Sequence, residues 1–415
     1  MPKPLRSLIM PILCIFTLTA CRTAMPEAAG APLPSGGQTA GQLHLPDSEP
    51  VPQPQAEPEP QQGRMIGAWI PYFTVEQLLS SPDTAACRSA VNAYLQGLKK
   101  LGVNTVFVHV CAFGESSYPS AYYPLLPAAH HHDAMQIFTD ICASLGLSLH
   151  AWINPLRLQT EEYMNAQTGD STLSVWYRDA QMRAENLAFW EGRYFLDPSA
   201  DSTVKFLRDV VTELVSKYHP AGVHIDDYFY PTAEPAFDVS DFAASGAAEL
   251  AAWRRGNITR IVQTMCEAVH AADPAAVFSV SPGGNPALNY NTLFADVAAW
   301  AASGNCCDLL IPQLYFGYQN AGCPFAATMQ GWYTMPRAEN VQIAAGLAPY
   351  KIGQADIYAG GGSEEWITTD GIIARQAADV LAQPEGAGIV FYHSDALLQM
   401  PEAETAALDA VLRGQ

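Results

Sequence analysis

Gly222-Val-His-Ile-Asp-Asp-Tyr-Phe-Tyr-Pro231 begins as a strand and ends in chemistry. The run Ala221-Gly-Val-His-Ile225 carries no charge, which is how a strand reads when both of its faces are covered in a parallel sheet. Asp226 and Asp227 follow at once. Two carboxylates at the end of a buried strand need partners or a task, because burying a charge is costly. In α/β folds the carboxyl ends of the strands are where ligands are bound and turned over. The segment therefore predicts a helix-covered parallel sheet and supplies the first candidate for an active site.

Outward from it, strand and helix alternate from Arg64 onward. Strand-like runs are Ile66–Ile70, Thr105–Val110, Leu147–Ile153, Gly222–Asp226, Val277–Pro282, Asp308–Tyr315, Gln342–Ala348 and Gly388–Tyr392. Amphipathic stretches with helical spacing lie between or after them: Ala85–Leu101, Asp133–Leu145, Ser202–Tyr218, Glu249–Ala272, Gly371–Leu381 and Ala403–Leu412. Eight strands alternating with helices predict an α/β fold of the (β/α)8 TIM-barrel kind. The competing open doubly wound sheet calls for a glycine-rich phosphate loop after its first strand, and this sequence has none. The third strand-to-helix connection, from Pro155 to Ala200, is long and holds Trp176, Tyr177, Trp190 and Tyr194. Such a loop either lines a cleft or packs its aromatic residues against the barrel.

Composition fits a folded chain with a large core: 49% of the residues are hydrophobic and 15% charged. The net charge of −20 argues against nucleic acid as a partner. Residues 1–20 read as a signal peptide, with Lys3 and Arg6 ahead of an apolar run from Leu8 to Leu18 that is short for a membrane span. The run ends in Leu18-Thr-Ala-Cys21, which resembles a bacterial lipobox; that resemblance implies cleavage before Cys21 and lipidation of its thiol. The acyl chains would hold the protein to the cell membrane or outer membrane, facing periplasm or cell wall. Residues 21–63, rich in Pro, Gln and Glu, read as a disordered, extended spacer, and 64–415 as the barrel domain. Of nine cysteines, Cys14 falls in the signal and Cys21 at the lipidation site. The remaining seven form no CxxC pair, so no zinc site is expected. Cys142 and Cys266 read as core residues, and a disulfide from Cys306 or Cys307 to Cys323 stays open.

In a barrel, all strand ends converge on one face. Pro71 and Tyr72 follow the first strand; His109, Cys111 and Glu115 the second; Trp152, Asn154 and Arg157 the third. Asp226, Asp227, Tyr228 and Tyr230 follow the fourth. Ser281, Gly284 and Asn285 follow the fifth, Gln313, Tyr315 and Tyr318 the sixth, Tyr350 and Lys351 the seventh, and Tyr392, His393 and Ser394 the eighth. Carboxylates, amides and aromatic rings in one place suit a polysaccharide: rings stack on sugar faces and polar groups bond hydroxyls. A phosphate site would show more glycine and more Lys or Arg. His150 and His224 read as core groups, and His130-His131-His132 as a solvated entry to a helix. Metal catalysis and a cofactor are not expected, and a metal-dependent deacetylase is a lesser reading.

Glycoside hydrolysis generally takes two carboxyl groups, one protonated. Crowding should raise the pKa of one of Asp226 and Asp227. Neighbouring strand residues point to opposite faces, however, so both can face a cleft only where the strand has ended or bulged. If one points away, Glu115 is the next candidate for catalysis, with Asp296 and Asp197 behind it. A structural ion pair with Arg157 or Lys351 is the competing explanation for the two aspartates.

The blocks Leu101–Val110, Gly114–Ser120, Leu149–Pro155, Phe195–Pro198, Gly222–Pro231, Trp253–Asn257, Phe278–Pro282, Pro312–Tyr315 and Gly346–Ile352 together resemble the glycosyl-hydrolase-like family 10 domain of bacterial cell-surface lipoproteins, formerly domain of unknown function 187. The resemblance covers nearly all of Arg64 to Leu397. It implies a TIM-barrel glycosidase, and similarity to a divisome-associated member implies a substrate of peptidoglycan glycan strands stripped of their peptides. Many relatives carry Arg-Pro where this chain has Cys111-Ala112, a departure that bears on which sugar is bound. An N-acetyl sugar can supply its own acetamide oxygen as nucleophile. On that implied substrate, Asp226 is expected to orient the acetamide or attack, and Asp227 to act as general acid, or the reverse. Trp152, Asn154, Tyr228, Tyr230, Gln313, Tyr315 and Tyr392 are expected to hold the sugar. A non-catalytic carbohydrate-binding lipoprotein is the alternative on the same barrel.

Overall fold

In the computed structural model, which describes residues 63–129 and 132–414, eight parallel strands close into a barrel. They are β1 (Met65–Ile70), β2 (Thr105–Cys111), β3 (Ser148–Ile153), β7 (Gly222–Ile225), β8 (Val277–Val280), β9 (Leu309–Leu310), β10 (Gln342–Leu347) and β11 (Gly386–Phe391). Each pairs with the next, and β11 returns to β1. After β3 the chain makes an excursion that contains an antiparallel sheet of β4 (Arg157–Thr160), β5 (Leu187–Trp190) and β6 (Arg193–Leu196), in the order β4-β6-β5. The signal segment, Cys21 and the spacer lie outside the described residues, as do His130 and His131. Among the described residues no helix is long and apolar enough to cross a membrane.

The helices form where apolar spacing and end residues agree. In Thr84–Lys100 the buried residues Cys87, Val91, Leu95 and Leu98 make one stripe, and the Asp83 side chain accepts from the Ala85 amide at the start. Helix Ala134–Leu145 starts at Asp133, which bonds the Gln136 amide, and stops at Gly146 with a left-handed φ of 66°. Helix Asp201–Tyr218 lays Phe206, Leu207, Val210, Val211, Leu214 and Val215 against the barrel.

Strand alternation sorts side chains between two cores. Val106, Val108, Ala151, Ile153, Val223 and Ile225 point outward into the layer beneath the helices. Trp69, Phe107, Trp152, Leu309, Ile311, Ala344 and Val390 fill the barrel itself. Gly222 is needed at its inward position: a Cβ there would come within 2.4 Å of the Val277 carbonyl oxygen and 2.5 Å of the His150 ring.

Seven of the expected strands agree with the observed ones to within two residues. The sixth shrinks from Asp308–Tyr315 to β9, because Pro312 has no N–H to give the ladder; the sheet continues there only through single bridges from Gln313 to Gly283 and Gly346. The seven described cysteines are all unpaired, so neither Cys306 nor Cys307 is joined to Cys323, and Cys142 and Cys266 are buried as expected.

Candidate active site

β7 ends at Ile225, and the alternation then decides where Asp226 goes. His224 points inward, so Asp226, two residues on, continues the inward set at the mouth of the barrel. There the ladder stops and the chain turns sharply, with the Phe229 amide donating to the Asp227 carbonyl at 3.0 Å. Released from the pleat, Asp227 need not point outward, and Gln313 acts to lower the pKa of its carboxyl group against the effect of burial. Strand termination thus removes the objection that adjacent residues face opposite ways.

Asp226 is buried. Its Oδ2 accepts from Trp152 Nε1 and its Oδ1 from the Tyr228 amide, both at 3.2 Å. Those bonds favour the ionised form but do not prevail. Burial first, and the Asp227 charge second, push its pKa up to about 8. Burial also raises Asp227, opposed by the bond to Gln313. Arg157 lowers both without an ion-pair contact to either. Burial, with the Asp227 charge adding to it, therefore keeps Asp226 protonated near neutral pH. An ion pair with Lys351 does not account for them, since Lys351 Nζ bonds Asp356 at 2.7 Å and the Tyr315 carbonyl at 2.8 Å.

Rings and amides surround the pair. Trp152 stacks on His109 with centroids 3.6 Å apart. Tyr315 and Tyr392 stack at 5.7 Å, with Tyr350 edge-on to both. Gln313 also donates to the Ser281 carbonyl at 3.1 Å. Tyr228, 49% exposed, lies beneath the Arg157 guanidinium. Several buried polar atoms here have no partner: both ring nitrogens of His109, Asn154 Oδ1 and Ser281 Oγ. Such atoms are rare in folded proteins and mark places where water or ligand completes the bonding. Burial holds the His109 imidazole neutral, with its pKa lowered to about 3.

Tyr230 departs from expectation. It is buried, its hydroxyl donates to Asp238, and the Arg254 guanidinium lies over its ring, itself paired with Asp238 at 2.6 Å. It braces the wall behind the site and has no free edge for a sugar.

Glu115 occupies a niche of its own. It lines a small cavity with Tyr72, Glu76, His109 and Ser117. Gln159 donates to Oε1 at 2.8 Å, while Oε2 is buried and unpartnered. Burial, with help from Glu76, raises its pKa to about 7 against the pull of Gln159 and Arg193. No hydrogen bond joins it to Asp226 or Asp227 among the described residues.

The excursion after β3 uses its large aromatic residues for packing. Trp176 meets Phe206, Tyr177 meets Tyr194 and Trp190 meets Phe237. What it brings toward the site is Gln159, Arg157 and Arg193; Gln159 and Arg193 had no place among the sequence candidates, nor had Phe113 and Glu76. One signal for Arg193 was available. Glu191-Gly192 between aromatic runs is a two-residue hairpin turn, and both residues take positive φ, 48° and 79°.

Away from the strand ends, Cys266, His270 and Asp308 bring ligand-type atoms within 4.8 Å of one another. Asp308 Oδ2 already accepts from His270 Nε2 at 2.8 Å and the Phe278 amide at 2.7 Å, so hydrogen bonding accounts for the group. His132 is not solvated: it is buried, with ring nitrogens 3.0 Å from Thr84 Oγ1 and 2.8 Å from the Ser81 carbonyl.

The family profile described as Glycosyl hydrolase-like 10 matches residues 64–360. The chain is 25% identical to Glycosyl hydrolase DigH of Escherichia coli (strain K12), over 94% of this chain and 92% of that one. It is 26% identical to Glycosyl hydrolase YngK of Bacillus subtilis (strain 168), over 62% and 55%. Among solved structures, an Anoxybacillus α-amylase superposes with a TM-score of 0.53 at 9% identity, covering 84% of this chain and 77% of that one. The last likeness concerns the barrel alone.

Proposed function

The chain belongs to the Glycosyl hydrolase-like 10 family, and we propose that it cleaves a cell-envelope polysaccharide, the glycan strands of peptidoglycan, with Asp226 and Asp227 as the acid–base pair. It is a glycoside hydrolase by this reading, and one observation carries the choice of residues. Beyond the last residue of β7, two buried carboxyl groups, both pushed up in pKa by burial, lie at the barrel mouth, ringed by stacking aromatics and unpartnered polar atoms.

The proton that Asp226 holds at rest passes to Asp227, which is partly open to solvent, and from there to the departing glycosidic oxygen. Asp226, held by Trp152 and the Tyr228 amide, orients the acetamide of the sugar so that its oxygen can attack the anomeric carbon, or bears against the positive charge that develops there. Asn154 and Gln313 offer hydrogen bonds to the sugar, and Tyr315 and Tyr392 offer ring faces. The lipid on Cys21 would hold this site close to its substrate in the envelope.

Incubation of the full chain with peptide-free glycan strands should release new reducing ends and none with the Asp227→Asn variant. Binding to the strands without any release would mean a carbohydrate-binding protein instead.

A further inference from the structure

Two arginines at the barrel mouth lack the partners that arginines in so acidic a chain would be expected to find. Among the described residues, neither Arg157 nor Arg193 has a carboxylate oxygen within 4.0 Å. Arg193 gives one N–H to the Leu158 carbonyl at 2.5 Å. The β4–β6 pairing sets them together: Arg157 lies opposite Phe195, and Arg193 shares a face with Phe195, two residues away on β6. Their guanidinium carbons lie 4.9 and 5.3 Å from the centre of the same ring, Phe113, and Arg157 also lies 4.5 Å from the centre of Tyr228. Each is half-buried. The two charges repel, enough that Arg157 adds to burial in lowering the pKa of Arg193. Two like charges, partly desolvated and clamped on aromatic faces, have no carboxylate partner among the described residues, and beyond the one bond to Leu158 their N–H groups can meet an anion.

We infer that Arg157 and Arg193 form an anion-reading subsite beside Asp226 and Asp227, and that the glycan carries a carboxylate on the sugar seated there. The inference rests on the proposed hydrolase function and deepens it. On peptidoglycan strands, the free lactyl carboxylate exposed when the peptide has been removed is a group of this kind. A strand still bearing peptide has an amide in its place, which offers no negative charge to the forks. Arg157 and Arg193 are then specificity residues: they hold the sugar, and they take no part in moving the proton.

The test separates binding from cleavage. The full chain carrying Asp226→Asn is titrated with peptide-free strands and with the same strands after their carboxylates are reduced to alcohols. Reduction should weaken binding roughly ten- to hundredfold, as expected for charge-assisted bonds. Arg193→Gln or Arg157→Gln should close most of that gap, with Arg→Lys in between. With wild-type enzyme the same change of substrate should raise KM and leave kcat nearly unaltered. Equal affinity for the two strands overturns the subsite, as does failure of either to bind at millimolar concentration; the wild-type comparison needs no variant to fold. Arginine-dependent binding without any release of reducing ends keeps the subsite and rejects the hydrolase. Equal cleavage of both strands does the reverse.

Discussion

His224 and His109 point into the same barrel from strands separated only by β3, yet they are treated differently. His224 is complete: its Nε2 accepts from Trp69 Nε1 at 2.9 Å and its Nδ1 faces Ser279 Oγ at 2.8 Å. His109, one layer nearer the mouth, stacks on Trp152 and has no partner for either nitrogen. Burial keeps both neutral. Around His224 the polar groups serve the fold. Around His109, Asn154 and Ser281, beside Asp226, the bonding is unfinished, and a sugar could finish it. A closed lower layer provides the rigidity that an incomplete upper layer needs.

The largest expected effect lies in the upper layer. Asp226→Ala and Asp227→Ala should each lower kcat/KM roughly 10²- to 10⁴-fold, with unchanged circular dichroism. Near-wild-type rates in both variants would detach the mouth of the barrel from catalysis.

The next falls on the lower layer. His224→Ala leaves a void, strips Trp69 of its partner and takes from Ser279 its shortest bond, so denaturant unfolding should show a loss of about 2–4 kcal/mol. His109→Phe keeps an aromatic ring against Trp152 and removes no hydrogen bond, and should cost less than about 1 kcal/mol. Equal losses would erase the distinction between the layers.

Glu115 yields a smaller, pH-dependent effect. Its folded pKa of about 7 lies above the ordinary glutamate value of 4.5, so the folded state binds the extra proton between those values. Its ionisation removes stability progressively as pH rises from 4.5 to about 7. Glu115→Gln abolishes that loss. Its melting temperature should exceed wild type by about 2–4 °C at alkaline pH and match it in acid; a gain confined to acid would contradict the sign. Smallest of all, Asn154→Ala should raise KM about two- to tenfold, the worth of one hydrogen bond to the sugar.

Much of this was legible before the fold was known. Buried parallel strands announce themselves as uncharged apolar runs, and Asp226 stood out because a carboxylate ended such a run. Whether Asp227 could join it was not legible, since that depends on where pairing with β3 and β8 stops. Tyr230 looked like its neighbour Tyr228, and only the Arg254–Asp238 pair, contributed by residues far along the chain, turns it into the wall. Arg193 reaches the mouth through a hairpin inside the excursion, a route set by tertiary packing. Pro312 did carry a visible warning against a long sixth strand.

The proton held by Asp226 and passed through Asp227 is the central claim, and the pH dependence of kcat/KM on peptide-free glycan strands tests it most directly. If the pair supplies the acid, activity falls on the alkaline side with a midpoint near pH 8, where burial and mutual repulsion set the loss of that proton. A profile that stays flat or rises between about pH 6 and 9.5 would mean that the acid lies elsewhere.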